Sequence, residues 1–367
     1  MSDTSAHIED TANTTRTDAA VTSPSRPGKP AEPARRVSWP GLALAIPGLV
    51  VFGLSVTVLA GTGWPQIVAV IAGLGASYMG LNRVGHALFG ASFDLMFWVC
   101  TVWLITLVGA AILAPLLPLS EHQDIVHTLD APGMAVPDLS TENPLGTNNF
   151  GLDLLGRVVY GARSSLVVSV GAVAIGMLVG GAIGIAAGYF RRATDATIGI
   201  FTNALLAVPP LILLIALGTV LEPNLRNIAI ALSLLALPSM IRMARANTLA
   251  FVQREFVLAA QALGASRWRI MLRELAPNVA LPLASYGMVM VSVLIVAEAS
   301  LSFLGLGIQA PAPSWGNMIA EGQDNNAFSE HPHIVLVPGI TLFLTVFAFN
   351  LIGEKARKRW DPRQAKL

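Results

Sequence analysis

Glu298 is the most conspicuous candidate for chemistry. It sits inside the apolar run VLIVAEASLSFL, residues 293–304. An ionisable side chain in a membrane-depth helix costs about 2.5–3.5 kcal/mol on insertion scales. Glu298 must therefore face a polar interior or a partner. The other reading makes it an acceptor for the glycine-rich backbone reversal at Ser300–Gly305, where freed amides need partners. His331 and His333 flank Pro332, and a metal site needs more ligands than this pair supplies. Cys100 is the single cysteine, which excludes an internal disulfide or a thiolate cluster and reads as a buried structural thiol. The chain contains no G-x-x-x-x-G-K-[ST] phosphate loop, no H-E-x-x-H and no G-x-S-x-G. No constellation argues for an enzyme.

A second candidate is mechanical. Residues 244–278 read ARANTLAFVQREFVLAAQALGASRWRIMLRELAPN. Phe256, Ala259, Ala260 and Leu263 fall at helical spacing. Gly264 interrupts them and permits a sharp bend. A second piece carries Trp268, Met271, Leu272 and Leu275, and Pro277 is expected to close it. Arg254, Arg267, Arg269 and Arg273 can pair with acidic groups or lipid headgroups. A helix–glycine–helix hairpin of this kind either enters a groove of a partner protein or lies on lipid; its residues do not choose.

The elements that hold these candidates are membrane helices. Of 367 residues, 54% are apolar and 12% charged, about half the charge of a soluble domain. The net charge of +1 gives no footprint for nucleic acid. A bilayer core takes about 20 apolar residues as a helix. Eight runs qualify, roughly at 39–60, 64–81, 93–117, 166–189, 198–221, 228–243, 279–301 and 334–352. With the amino terminus inside, twenty Lys and Arg fall on the inner side and three (Arg157, Arg163, Arg226) on the outer. That bias predicts an even number of spans and both termini in the cytoplasm. Residues 1–37, rich in Ser, Thr, Pro and Ala, read as a disordered cytoplasmic tail. The loops at 118–150 and 304–333 are long, acidic and rich in Pro, Gly and Asn, and are expected to be structured. The segment 150–165 reads as an amphipathic helix lying on the membrane; Arg157 and Arg163 there hold either an outer partner protein or the loop's own Asp153, with Arg163 expected to anchor locally. Gly176, Gly180, Gly184 and Gly188 recur every four residues and predict a helix face for close packing. Asn203 and Asn350 are expected to bond between helices.

Several of these stretches resemble one family. The hairpin is similar to the cytoplasmic coupling loop of ABC-importer permeases, whose pattern is E-A-A, three residues, G, nine residues, I-x-L-P. It matches at Ala259, Ala260, Gly264 and Pro277, and departs at Leu258, Glu274 and Ala276. NPLGTNNFGLDLLGRVVYGARSSL (143–166), AEASLSFLGLGIQAPAPSWGNMIAEG (297–322) and PGITLFLTVFAFNLIGE (338–354) resemble the C-type subunit of dipeptide, oligopeptide and nickel importers, covering about residues 143–363.

The resemblance implies a second homologous permease subunit, two ATPase subunits that hold ATP and Mg, and an extracytoplasmic substrate-binding protein, all at the cytoplasmic membrane. The substrates it implies are di- or oligopeptides; the alternatives are nickel chelates or glutathione, or a stand-alone secondary transporter. No cofactor is implied on this chain. ATPase coupling falls to Glu255, Ala259, Ala260, Gly264, Ala265 and Pro277. Glu298, Ser302, Trp315 and Asn317 are expected at the translocation path or outer gate, Glu298 facing a peptide's amino group if not the backbone turn. The fold expected is all-α, a six-helix permease core after an extra hairpin. The divisions run 1–37 (tail), 38–92 (hairpin), 93–142 (first core span and outer loop), 143–353 (core, with the coupling loop at 244–278) and 354–367 (cytoplasmic tail).

Overall fold

A computed structural model describes residues 39–57, 64–90, 93–128, 132–138, 141–323 and 327–360. The expected tail at 1–37 lies outside them. The described residues are helical with no strand and fall into two units, divided between Phe93 and Asp94.

The first unit is a hairpin of α1 (Trp39–Thr57) and α2 (Trp64–Phe89). Small residues bring its backbones together: a Cβ on Gly48 would stand 2.5 Å from the Ser77 amide nitrogen.

The second unit begins with α3 (Leu95–Leu113), N-capped by Asp94, which accepts from the Phe97 amide at 3.2 Å. Next come α4 (Leu154–Phe190), α5 (Arg192–Ala207), α6 (Pro210–Val220) and α7 (Leu225–Phe251). They are followed by α8 (Glu255–Ala262), α9 (Arg267–Phe303), α10 (Trp315–Glu321) and α11 (His333–Trp360). Asp153, Asn224, Ser266 and Ser314 cap α4, α7, α9 and α10 with side-chain oxygens, which satisfies amides a helix start leaves open. The core lies among α3, α4, α7, α9 and α11, around Leu166, Leu232, Met240, Leu294 and Ile295.

Five described helices are long and apolar enough to cross a bilayer, and six if α5 and α6 count as one span. The eight expected spans are thus not reached among the described residues. In the first unit only the short apolar stretch Leu42–Val51 stands out.

Three expectations change. The segment 154–165 does not lie apart as a surface helix: it is the first part of α4, 37 residues long. Arg157 and Ser165 are taken up inside the protein, so the helix continues through them. The run 198–221 is not one straight span but bends by 84° between α5 and α6. There Pro209 and Pro210 remove two amides and force Val208 into an extended conformation. Pro277 closes nothing. It sits at the end of a π turn, Ile270–Leu275, inside the continuous α9. A widened turn is one way a helix passes a proline that has no amide to give.

The four stripe glycines of α4 face α7. A Cβ on Gly176 would meet that of Ala236 at 3.1 Å, and one on Gly180 that of Met240 at 2.9 Å. On Gly184 it would lie 2.5 Å from the Ile241 carbonyl, and on Gly188 2.7 Å from the Thr248 Cβ.

Candidate functional site

The Gly264 bend is built by the helix-ending motif in which two amides turn back on the last carbonyls. The Ala265 amide donates to the Ala260 carbonyl at 3.0 Å, and the Gly264 amide to Gln261 at 2.9 Å. The residue between must be left-handed, and Gly264 has φ +79°. Nothing lies within 4 Å of where its Cβ would be, so the requirement is backbone conformation alone. Ala260 and Ala265 pack inward on a small core of Val257, Ile270, Met271 and Leu275, which also touches Ile185 and Tyr189 of α4. The hairpin is therefore fixed to the bundle.

The faces differ from those drawn from spacing. Val257 and Ala260 point to the bundle, while Ala259 joins an exposed face with Phe256, Leu258, Leu263, Trp268 and Leu272. Leu263 is 88% exposed and Trp268 69%. Glu255 is exposed in the first turn of α8, where a negative charge suits the helix dipole. Pro277 is exposed on α9.

The other expected site lies at the far end of α9 and is closed. Glu298 is fully buried. Its carboxylate accepts from the hydroxyls of Ser165 and Ser302, both at 2.7 Å, and Ser314 also bonds to it. The Ser302 hydroxyl in turn accepts the Ile308 amide at 3.0 Å. Between them Gly305, φ +74°, ends α9 in the same motif as Gly264: Leu306 donates to Leu301 and Gly305 to Ser302. Trp315 is fully buried, and its indole donates to the Val158 carbonyl at 3.2 Å. Asn317 and Ser314 exchange side-chain bonds to each other's amides, and Asn317 also donates to the Ile308 and Ala312 carbonyls. In this conformation Glu298, Ser302 and Trp315 line no open space. Together with Asn317 they fasten the chain that leaves α9.

Sequence reading missed the group beside them. The Arg157 guanidinium, 2% exposed, pairs with Glu321 at 2.5 Å and not with Asp153. Asn148 donates to the other Glu321 oxygen at 2.9 Å, and Asn149 to its carbonyl at 3.1 Å. This locks the 141–153 loop, α4 and α10 together. Arg163 is exposed on α4 and is not the loop anchor expected. Asp153 is committed to the Leu155 and Gly156 amides. Burial pushes its carboxyl above the ordinary range, against the pull of those two amides. No spacing signal could have joined Arg157 to Glu321, 164 residues away. Among the described residues, no three His, Cys, Asp or Glu side chains are placed to hold a metal ion.

Five or six helices apolar enough to cross a bilayer, joined in one helical bundle, have the form of a multi-pass membrane protein. Residues 180–366 match the family described as the binding-protein-dependent transport system inner membrane component, and the chain belongs to that family. Its members are membrane subunits of transporters, not enzymes.

Among curated relatives, the chain is 35% identical over 253 residues to the dipeptide transport system permease protein DppC of Alkalihalophilus pseudofirmus, covering 69% of this chain and 81% of that one. It is 36% identical to a putative peptide transport system permease protein of Brucella suis, covering 73% and 88%. It is 33% identical to the glutathione transport system permease protein GsiD of Pectobacterium atrosepticum, covering 61% and 74%. A solved chain of the inward-facing MetNI methionine ABC transporter is similar over 56% of this chain and 96% of its own, at 18% identity and a TM-score of 0.46. That likeness is too distant to add to the assignment.

Proposed function

We propose that this chain is one of two permease subunits of an ATP-driven importer that carries di- or oligopeptides across the cytoplasmic membrane. The observation that carries the reading is the bend at Gly264. It is clamped to the bundle on one side and exposes Phe256, Leu258, Leu263, Trp268 and Leu272 on the other, among Gln261, Arg267, Arg269 and Arg273. A face of this kind suits a protein groove better than water. Its occupant is an ATPase subunit that holds ATP and Mg; a second permease and an extracytoplasmic binding protein complete the assembly. Both termini lie in the cytoplasm, as the basic residues favour. The hairpin of residues 38–92 is an addition to the transporting core, and the four stripe glycines let α4 and α7 move as one body. The curated relatives that carry peptide names support the substrate class, and glutathione is a peptide of the same kind.

The experiment is affinity purification of the assembled complex from membranes, followed by reconstitution. Leu263→Asp and Trp268→Asp change only the exposed face. They are expected to lose the ATPase subunits and at least tenfold of peptide uptake while the permease still inserts. Ala260 is less useful here, since it packs into the hairpin's own core. Full uptake by both variants would overturn the reading.

A further inference from the structure

The α5–α6 bend leaves backbone groups that a membrane cannot leave bare. In a helix the carbonyls of Leu205 and Leu206 would accept from the amides four residues on. Those positions are Pro209 and Pro210, which have none. On the other side, the first bond of α6 runs from the Leu213 amide to the Pro209 carbonyl at 3.1 Å. The Leu211 and Ile212 amides precede it, and no side chain caps them. Each such group in hydrocarbon costs several kcal/mol. Broken backbone at membrane depth is found where it is buried in protein or lines a water-filled cavity.

Here it is not buried by this chain. Every residue from Leu206 to Ile212 is exposed. The contrast with the other spans is sharp: Pro238 of α7 and Pro282 of α9 are both buried among neighbouring helices. The sixteen residues of α5 place the break roughly 24 Å along the helix from Arg192, within the ~30 Å of a hydrocarbon core.

Polar side chains sit beside it. Asn203, exposed on α5, accepts from the exposed Arg242 of α7 at 3.0 Å. Arg242, expected at the inner end of its span, thus reaches a polar group on the same helix that runs into the break. Leu211 also borders an open hollow of about 360 Å³, walled by Val296, Ala299, Phe303 and Leu304, so the break adjoins free space.

We propose that the α5–α6 break, with Asn203 and Arg242, lines the aqueous path through which solute crosses. The inference deepens the importer reading and rests on it. It places the wetted surface at backbone groups that can exchange hydrogen bonds with any peptide amide, which suits a path used by many sequences. It removes Glu298 and its hydroxyl partners from the lining.

Cys100 is the only cysteine, so Cys100→Ala gives a clean background, with Cys100→Ser as its replacement if folding suffers. Single substitutions Leu206→Cys, Val208→Cys and Ile212→Cys are introduced into the assembled importer in membrane vesicles. A charged, membrane-impermeant maleimide is applied to nucleotide-free and vanadate-trapped samples. Val102→Cys on the apolar face of α3 is the lipid control, and Val126→Cys in the loop is the water control. Labelling at least tenfold faster than at Val102, in one of the two states, is expected at all three sites. Rates equal to Val102 in both states would mean lipid, or a second permease, covers the break, and would overturn the proposal. Co-purification of the ATPase from the same vesicles reports on the importer reading separately. Its loss with labelling retained would sink that reading and leave the wetted break standing.

Discussion

The two bends that bound α9 use one backbone motif in opposite surroundings. At Gly264 and at Gly305 a left-handed glycine lets two amides return to the carbonyls of the preceding helix turn. At neither position would a Cβ meet an atom within 4 Å. Around Gly305 lie a buried carboxylate, three hydroxyls, a buried tryptophan and the Arg157–Glu321 pair. Around Gly264 no charge is buried among the described residues: Arg267 and Arg269 are exposed, as are Leu263 and Trp268. The same turn is thus enclosed as a fastening at one end and, in the reading proposed above, offered as a handle at the other. Its role comes from what surrounds it.

The sharpest way to break the contrast is at the fastening. Glu321→Ala leaves the buried Arg157 charge without its partner and is expected to cost about 3–5 kcal/mol, read as a lowered unfolding temperature of the complex in nanodiscs. Glu298→Ala strands the Ser165 and Ser302 hydroxyls and should cost about 2–3 kcal/mol. Molecules that still fold should bind the ATPase normally; if instead binding fails and melting is unchanged, the two ends have been assigned the wrong way round.

A direct comparison pairs the glycines. A residue with a Cβ in the left-handed region costs about 1–2 kcal/mol, and this is the expected loss for Gly305→Ala, with uptake preserved. Gly264→Pro removes the bend itself and should abolish uptake and ATPase co-purification while shifting the melting of the bundle little. Trp268→Ala should leave stability within about 0.5 kcal/mol and still weaken ATPase retention measurably in a pull-down. The smallest effect belongs to the half-exposed Asp94–Lys355 pair, where Asp94→Asn should change stability by about 1 kcal/mol or less. Lys355 holds the Asp94 carboxyl below its ordinary value. Its contribution is therefore present above about pH 4 and is lost as pH falls through the lowered folded value, so wild type and variant should converge in acid.

Local signals were legible and distant ones were not. Gly264 could be read as a bend because an amphipathic run stops there. Of the stripe read from spacing, Phe256, Ala259 and Leu263 are exposed together, while Ala260 turns with Val257 toward α4, a side that only the position of α4 decides. Glu298 was readable as an acceptor at the Ser300–Gly305 reversal. Its bond to Ser165, 133 residues away, has no local trace. Pro209 and Pro210 announce a break in a span, yet the apolar residues on both sides continue, so composition alone joined them into one helix. Arg157 read as a surface charge because its neutralising partner, Glu321, comes from α10, far along the chain.

The length of α9 carries a last consequence. Thirty-seven residues in one helix span roughly 55 Å, from the hairpin to the fastened turn, without a hinge loop between. Tilting such a rod by about 10° carries its distant tip roughly 10 Å sideways. The exposed Trp268 and the fastened turn beyond Phe303 are therefore two ends of one lever, and a displacement imposed at either end reaches the other without loss in an intervening loop.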